Sequence, residues 1–135
     1  MDLLRYVVAL AVASVATSLS DWYFMGVLFH DKYLAHPEVW RHTSNRRGES
    51  LAIAWSTLLA VLSAAAFLWL CGRLGLAGEN GVFLLALGVW LTGPLPLLLT
   101  QAAFIKVHPL NTLAMLLGWL VRLALFATSA RLIMR

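Results

Sequence analysis

Charged residues are scarce in this chain, and their scarcity excludes most soluble folds. Only 12% of its 135 residues are Asp, Glu, Lys or Arg, while 61% are hydrophobic. Soluble domains average about 25% charged and about 45–50% apolar residues, so this chain has too little polar surface to cover a globule in water. We therefore expect the lipid bilayer to be its main partner and solvent.

Cysteine is almost absent, and so are the motifs of common enzymes. The single cysteine, Cys71, cannot form an internal disulfide or make a metal site by itself. The sequence contains no nucleophile elbow, no glycine-rich phosphate loop and no pair of carboxylates on one helix face. We expect no cofactor.

The formal charge of +4 does not indicate a nucleic-acid partner. The basic residues flank apolar runs instead of forming a patch, which is typical of topology determinants and lipid-headgroup contacts. Five of them belong to one predicted membrane face and four to the other, a bias that weakly favours a cytoplasmic first loop and leaves dual insertion open.

Four apolar runs are long enough to cross about 30 Å of hydrocarbon as helices. They predict an all-α fold, a polytopic membrane protein with one domain built as a four-transmembrane-helix bundle. A cleaved signal peptide is the alternative for the first run, but its apolar character continues past the small residues around position 20. The predicted spans are 6–29, 51–70, 82–105 and 110–130, with a hydrophilic loop at 30–50.

Two opposite charges interrupt these runs. Asp21 precedes the end of the first span by eight residues, or about 12 Å, and Arg122 follows the start of the fourth by twelve, or about 18 Å. Helical side chains lean toward their own N-terminus, so in antiparallel helices these two reach for each other. Because an unpaired charge at this depth is costly, we expect an ion pair. It has a functional interpretation, a polar site, and a structural one, a lock on helix register.

Small and polar residues recur at helical spacing in every span and predict inward faces that pack closely or line a cavity. Two prolines, Pro94 and Pro96, should break the third span near mid-membrane, as in many transporter sites. The indoles of Trp22 and Trp119 could line a cavity for a flat ligand. The predicted inward stripes are Ala9, Ala13, Thr17 and Ser20; Ala52, Ser56, Ala60 and Ser63; Gly88, Thr92, Pro96 and Thr100; and Asn111, Met115, Gly118, Arg122 and Ser129.

Histidines cluster on one predicted face without a ligand motif. An interval of six residues puts no two of the first three on one helix face. Solvated or interfacial histidines are the favoured interpretation, and a metal site is the alternative. The weak metal candidates are His30, His36, His42 and His108.

The end of the first span reads Trp22-Tyr23, then Leu28-Phe29 and Lys32. This pattern and the four-span layout resemble a family of small bacterial integral membrane proteins catalogued as a domain of unknown function. The chain departs from that family at 25–26 and 30–31. The resemblance implies a multi-pass protein of the bacterial inner membrane and implies no activity.

The residues favour binding or transport of a small molecule or ion through a polar site inside the bundle. The site residues expected are Asp21, Arg122, Thr17, Trp22, Thr92, Pro94, Pro96, Asn111 and Trp119. The alternatives are a non-catalytic accessory or structural membrane subunit and, with least support, a membrane enzyme using the loop histidines. Four short helices enclose little interior, so we expect a homo-oligomer.

Overall fold

The computed structural model describes residues 2–28, 31, 46–106 and 108–135, and the regular structure of these residues is all helical. Four stretches are long and apolar enough to cross a membrane, which confirms the predicted fold class of a multi-pass helical protein. The helices are α1 (Leu3–Tyr23), continued by a π-helical turn (Phe24–Leu28), then α2 (Arg46–Arg73), α3 (Gly81–Thr92), α4 (Pro94–Phe104) and α5 (Pro109–Ile133).

The two ends of the bundle are defined by local capping chemistry. A carboxylate oxygen of Asp2 accepts a hydrogen bond from the Leu4 amide at 3.0 Å and begins α1. The α5 helix begins with Pro109 at its first position, where a missing N–H costs nothing. Gly75 and Gly78, both with positive φ, turn the chain between α2 and α3. We call the end where α1 begins the termini face and the end where it finishes the loop face.

The second helix is longer than the sequence indicated. It begins at Arg46, so the last residues of the hydrophilic segment predicted at 30–50 are helical and not loop. Arg and Glu are good helix formers, and a polar first turn can extend beyond the hydrocarbon without a desolvation cost. The helix therefore continues past the apolar run from which its start was predicted.

The third span is broken where the prolines predict a break. Helix α3 ends at Thr92, Gly93 adopts φ −113° and ψ −88°, and α4 begins with Pro94. Proline has no N–H to donate, so it is tolerated at a helix start and disrupts a helix interior. Backbone hydrogen bonds from Gly93 to Val89 and from Leu97 to Gly93 bracket the break.

Helix α5 is the centre of the bundle and contacts each of the other four helices that the structure describes. Helix α1 packs against both α2 and α5. Two long-range hydrogen bonds support this arrangement: the Tyr6 hydroxyl donates to the Ala65 carbonyl at 2.9 Å, and Nε1 of Trp90 donates to the Leu116 carbonyl at 3.0 Å. Both donors would otherwise be unpaired in an apolar medium.

The packed core occupies the half of the bundle near the termini face. Alanines dominate it, because small side chains let membrane helices approach closely. The rings of Phe67 and Phe126 fill its centre with their centroids 5.9 Å apart. The core residues are Ala9, Ala13, Ala64, Phe67, Leu68, Cys71, Val82, Ala86, Leu123, Phe126, Ala127, Ala130 and Met134.

The half near the loop face is open among the described residues. Every residue from Leu51 to Leu59 is exposed, and in α4 only Leu98 is buried.

The stripes predicted to face inward are correct only in part. The first is largely right, but Ala52, Ser56 and the whole third-span set (Gly88, Thr92, Pro96 and Thr100) are exposed. Apolar residues, Val82 and Ala86, form the buried face of α3 instead.

Candidate functional site

The predicted ion pair forms between α1 and α5. Nη2 of Arg122 donates to Oδ2 of Asp21 at 2.5 Å. The arginine side chain is 18% exposed and the aspartate side chain 36% exposed. The pair lies beside Leu123, at the edge of the packed core, where the bundle changes from closed to open.

The positions of both charges follow from helix direction. Helices α1 and α5 run antiparallel, so the lean of each side chain toward its own N-terminus carries Asp21 toward the termini face and Arg122 toward the loop face. The two groups meet although their Cα atoms lie at different depths. A charge left alone there would cost several kcal/mol, about 2.5–3.5 on insertion scales, so the pair also holds the register of α1 on α5.

A second group holds the arginine in place. The guanidinium carbon of Arg122 lies 4.6 Å from the centroid of the Trp119 ring, one turn earlier on α5. Such a cation–π contact contributes about 0.5–2 kcal/mol depending on desolvation. Nε of the same guanidinium is buried and has no hydrogen-bond partner among the described residues. The arginine therefore uses one donor on Asp21 and keeps another unused.

The helix winding changes directly after Asp21. Residues Phe24–Leu28 form a π-helical turn, and the Phe24 amide donates to the carbonyls of both Asp21 and Ser20. Single π turns inside α-helices occur frequently at functional sites. Sequence reasoning missed this feature. The only local signal is Gly26, which lies under the Trp22 indole and is a poor helix former.

Two hydroxyls on the same face of α1 extend the polar site toward the termini face. Thr17 is fully buried, and its Oγ1 has no partner among the described residues; the same holds for the buried Oγ of Ser14. Thr17 was predicted as a site residue and Ser14 was not. The spacing of three and seven residues from Ser14 to Thr17 and Asp21 places all three on one helix face and could have identified it.

Several predicted site residues do not join the pair. The Trp22 side chain is 66% exposed, and Pro96 is exposed on α4. The Thr92 hydroxyl is exposed and donates to the Gly88 carbonyl at 2.8 Å, which satisfies it facing outward. Asn111 is half-buried but lies eleven residues from Arg122 along α5, about 16 Å away. The structure exposes Thr92 and Pro96, so the residues that it describes form no closed cavity between these two and the ion pair.

Pro94 is half-buried and begins α4 directly after the break in the third span. The open space near the ion pair lies on α5. A Cβ added to Gly118, one turn before Arg122, would meet no atom within 4 Å. Two surface recesses among the described residues lie away from the ion pair. One, of about 410 Å³, runs along α2 between Gly48 and Leu58, and the other, of about 300 Å³, lies at the termini face between Arg5 and Arg135.

The histidine hypothesis falls mostly outside the described residues, since His30, His36 and His42 are not among them. His108 is exposed, and its Nδ1 accepts a hydrogen bond from the Leu110 amide at 3.2 Å, which caps α5. Within the described ranges no three His, Cys, Asp or Glu side chains form a group that could hold a metal ion. The metal site and the membrane enzyme stay predictions.

Comparison of the chain with protein-family models, with curated proteins and with solved structures finds no match. The resemblance to a small bacterial membrane family through Trp22, Tyr23 and Leu28 stays a prediction. Conclusions on function therefore depend on the geometry of the site alone.

Proposed function

We propose that this protein binds, and moves across the membrane, a small molecule or ion through the site formed by Asp21 and Arg122. The observation that carries the proposal is the pairing of these two charges inside the membrane spans, with Asp21 still 36% exposed. Ionisable residues inside membrane spans are rare and mark substrate pathways and proton relays, so they are a functional-site hypothesis by default.

The difference between the two halves of the bundle supports this proposal. On the termini side, Phe67, Leu68 and Phe126 close the bundle with little or no exposed surface. On the loop side the described helices are exposed around Leu51–Leu59. The ion pair lies at the boundary between a closed half and a more exposed half, and alternating access needs a site that can be closed from one side and reached from the other.

The experiment is a ligand screen on the full chain in nanodiscs, read out as a shift in thermal stability. The probes are sodium acetate, sodium chloride, sodium phosphate and tetraphenylphosphonium chloride. We expect at least one to stabilise the wild type and to lose its effect in Asp21→Asn and Arg122→Leu. Arg131→Leu is the matched control, because Arg131 also lies over an aromatic ring, 5.9 Å from the Phe83 centroid, but at the termini face. Equal shifts in all four proteins contradict the proposal.

A structural role is the second candidate, and a specific contact favours it. The ion pair joins α1 to the central helix α5, so it can fix the register of an accessory subunit without binding anything. In that case no probe distinguishes the Asp21 and Arg122 variants from Arg131→Leu, and the only effect of these variants is on stability.

The remaining proposals concern location and assembly. We place the protein in the bacterial inner membrane with the 30–50 segment in the cytoplasm, which is supported by the weak excess of basic residues on that side. We also propose a homo-oligomer, supported by the exposure of every residue from Leu51 to Leu59 on all sides of α2. Cysteine labelling of Ser50→Cys and Glu79→Cys from each side of intact cells tests the orientation, and native mass spectrometry tests the assembly.

A further inference from the structure

Two groups of hydroxyls in the described helices differ in their hydrogen bonding. Five of them donate to a carbonyl three or four residues earlier at 2.8–2.9 Å, as hydroxyls in membrane helices commonly do. These are Ser56, Thr57, Ser63, Thr92 and Thr128. Ser14 and Thr17 are buried more deeply, and their oxygens make no such bond. Among the described residues, the two hydroxyl oxygens that are buried without a hydrogen-bond partner thus lie on the face of α1 that carries Asp21.

These groups are close to the charge pair. Thr17 and Asp21 are one turn apart on α1, a spacing that puts Cβ atoms about 5–6 Å from each other. Asp21 in turn holds Nη2 of Arg122, whose Nε is also buried without a partner in the part of the chain that the structure describes. The site therefore contains three unused polar groups, the Ser14 and Thr17 hydroxyls and the Arg122 Nε–H.

The chemistry of the unused groups indicates the charge of a ligand. All three can donate a hydrogen bond, and Nε–H can only donate. The charged acceptor at this place is the carboxylate of Asp21, and its Oδ2 is already engaged by Arg122. A cation would meet the repulsion of the guanidinium, whereas an acceptor of negative charge would satisfy the unused donors.

We infer that the ligand of this site is a small anion, such as a short-chain carboxylate, held by the Arg122 guanidinium and the hydroxyls of Thr17 and Ser14. This inference rests on the proposed function and names its substrate class. Trp119 keeps the guanidinium in position when the anion replaces Asp21 as its partner. The open space at Gly118, on the turn over which Arg122 leans, provides room for the exchange.

The test measures binding of radiolabelled acetate to the full chain in nanodiscs of phosphatidylcholine, a lipid without net charge. We expect saturable binding by the wild type. Thr17→Val keeps the shape of the side chain and removes its donor, so it should weaken binding about tenfold, the effect of one hydrogen bond to a charged group. Ser14→Ala should act in the same direction. Thr57→Val is the matched control, because its hydroxyl is exposed and bound to the Ile53 carbonyl, and it should bind acetate like the wild type.

Tetraphenylphosphonium tests the opposite possibility, that the ligand of the site is a cation. If this cation binds and depends on Asp21 while acetate does not bind, the anion inference is overturned and the proposed function stands. Equal acetate affinity in Thr17→Val, Ser14→Ala and Thr57→Val overturns the role of the hydroxyls. If neither probe responds to Asp21→Asn or Arg122→Leu, the proposed function fails together with the inference.

Discussion

The guanidinium carbon of Arg122 lies 4.6 Å from the ring centroid of Trp119, on the same helix that contacts all the others. The arginine thus has two neighbours of different kinds, an aromatic ring on its own helix and the carboxylate of Asp21 on α1. Only the second is lost when α1 moves relative to α5. The ring contact therefore lies within α5 and does not depend on the position of α1.

The ion pair should show strong coupling in a double-mutant cycle. Asp21→Asn leaves the positive charge of Arg122 without its counter-ion, and Arg122→Gln leaves the carboxylate of Asp21 in the same condition. Breaking a buried pair costs about 3–5 kcal/mol, and the partial exposure of Asp21 should bring each value toward about 2–3 kcal/mol. Unfolding by sodium dodecyl sulfate measures these free energies.

The double variant Asp21→Asn/Arg122→Gln should recover most of this loss, because neither remaining group carries a charge. Additive losses in the double variant would show that the two side chains act independently, against the contact between Nη2 and Oδ2.

Removing the ring under Arg122 should weaken the site without unfolding the bundle. Trp119→Leu loses the cation–π contact, about 0.5–2 kcal/mol, and frees the guanidinium to change its orientation. We expect a modest loss of stability and a larger loss of ligand affinity. Trp55→Leu is the matched control, since Trp55 is 61% exposed on α2. Equal effects of the two substitutions on binding would contradict a role for the Trp119 ring.

The open space beside Arg122 can be filled without touching the ion pair. Neither Gly118 nor Gly88 has an atom within 4 Å of an added Cβ, so both should accept valine without disturbing the fold. We expect Gly118→Val to reduce ligand binding at least tenfold and Gly88→Val, on α3, to leave it unchanged. Thermal stability of both variants serves as the check on folding. Unaltered binding by Gly118→Val would place the ligand elsewhere.

The closed half of the bundle should depend on its central ring. Phe126 is 1% exposed and packs on Phe67, whereas Phe104 at the end of α4 is 87% exposed. Phe126→Ala should cost about 3 kcal/mol, the lower end for a buried phenylalanine, because lipid replaces part of the lost contact. Phe104→Ala should change stability by less than about 0.5 kcal/mol. Similar unfolding free energies for the two variants would contradict the placement of the core.

Sequence reasoning located the charges well and the faces of the helices poorly. The depth of Asp21 and Arg122 and the lean of their side chains sufficed to predict that they meet. The same reasoning placed Thr92 and Pro96 inside, because small and polar residues of membrane helices are expected to face other helices and not lipid. In a bilayer a hydroxyl bonded to its own backbone, as Thr92 is, can face outward at little cost, so polarity no longer identifies the interior.

The amino-acid sequence by itself determined the number of spans, the break at Gly93 and Pro94 and the pairing of two opposite charges. Hydrocarbon tolerates neither an unpaired ion nor an unbonded backbone, and these penalties act on local sequence. Only the tertiary structure decided which helix is central, which half of the bundle closes and which hydroxyls lack a partner. Those outcomes depend on van der Waals fit between alanine-rich helix faces. The sequence contains many apolar faces and does not by itself show which of them pack against each other.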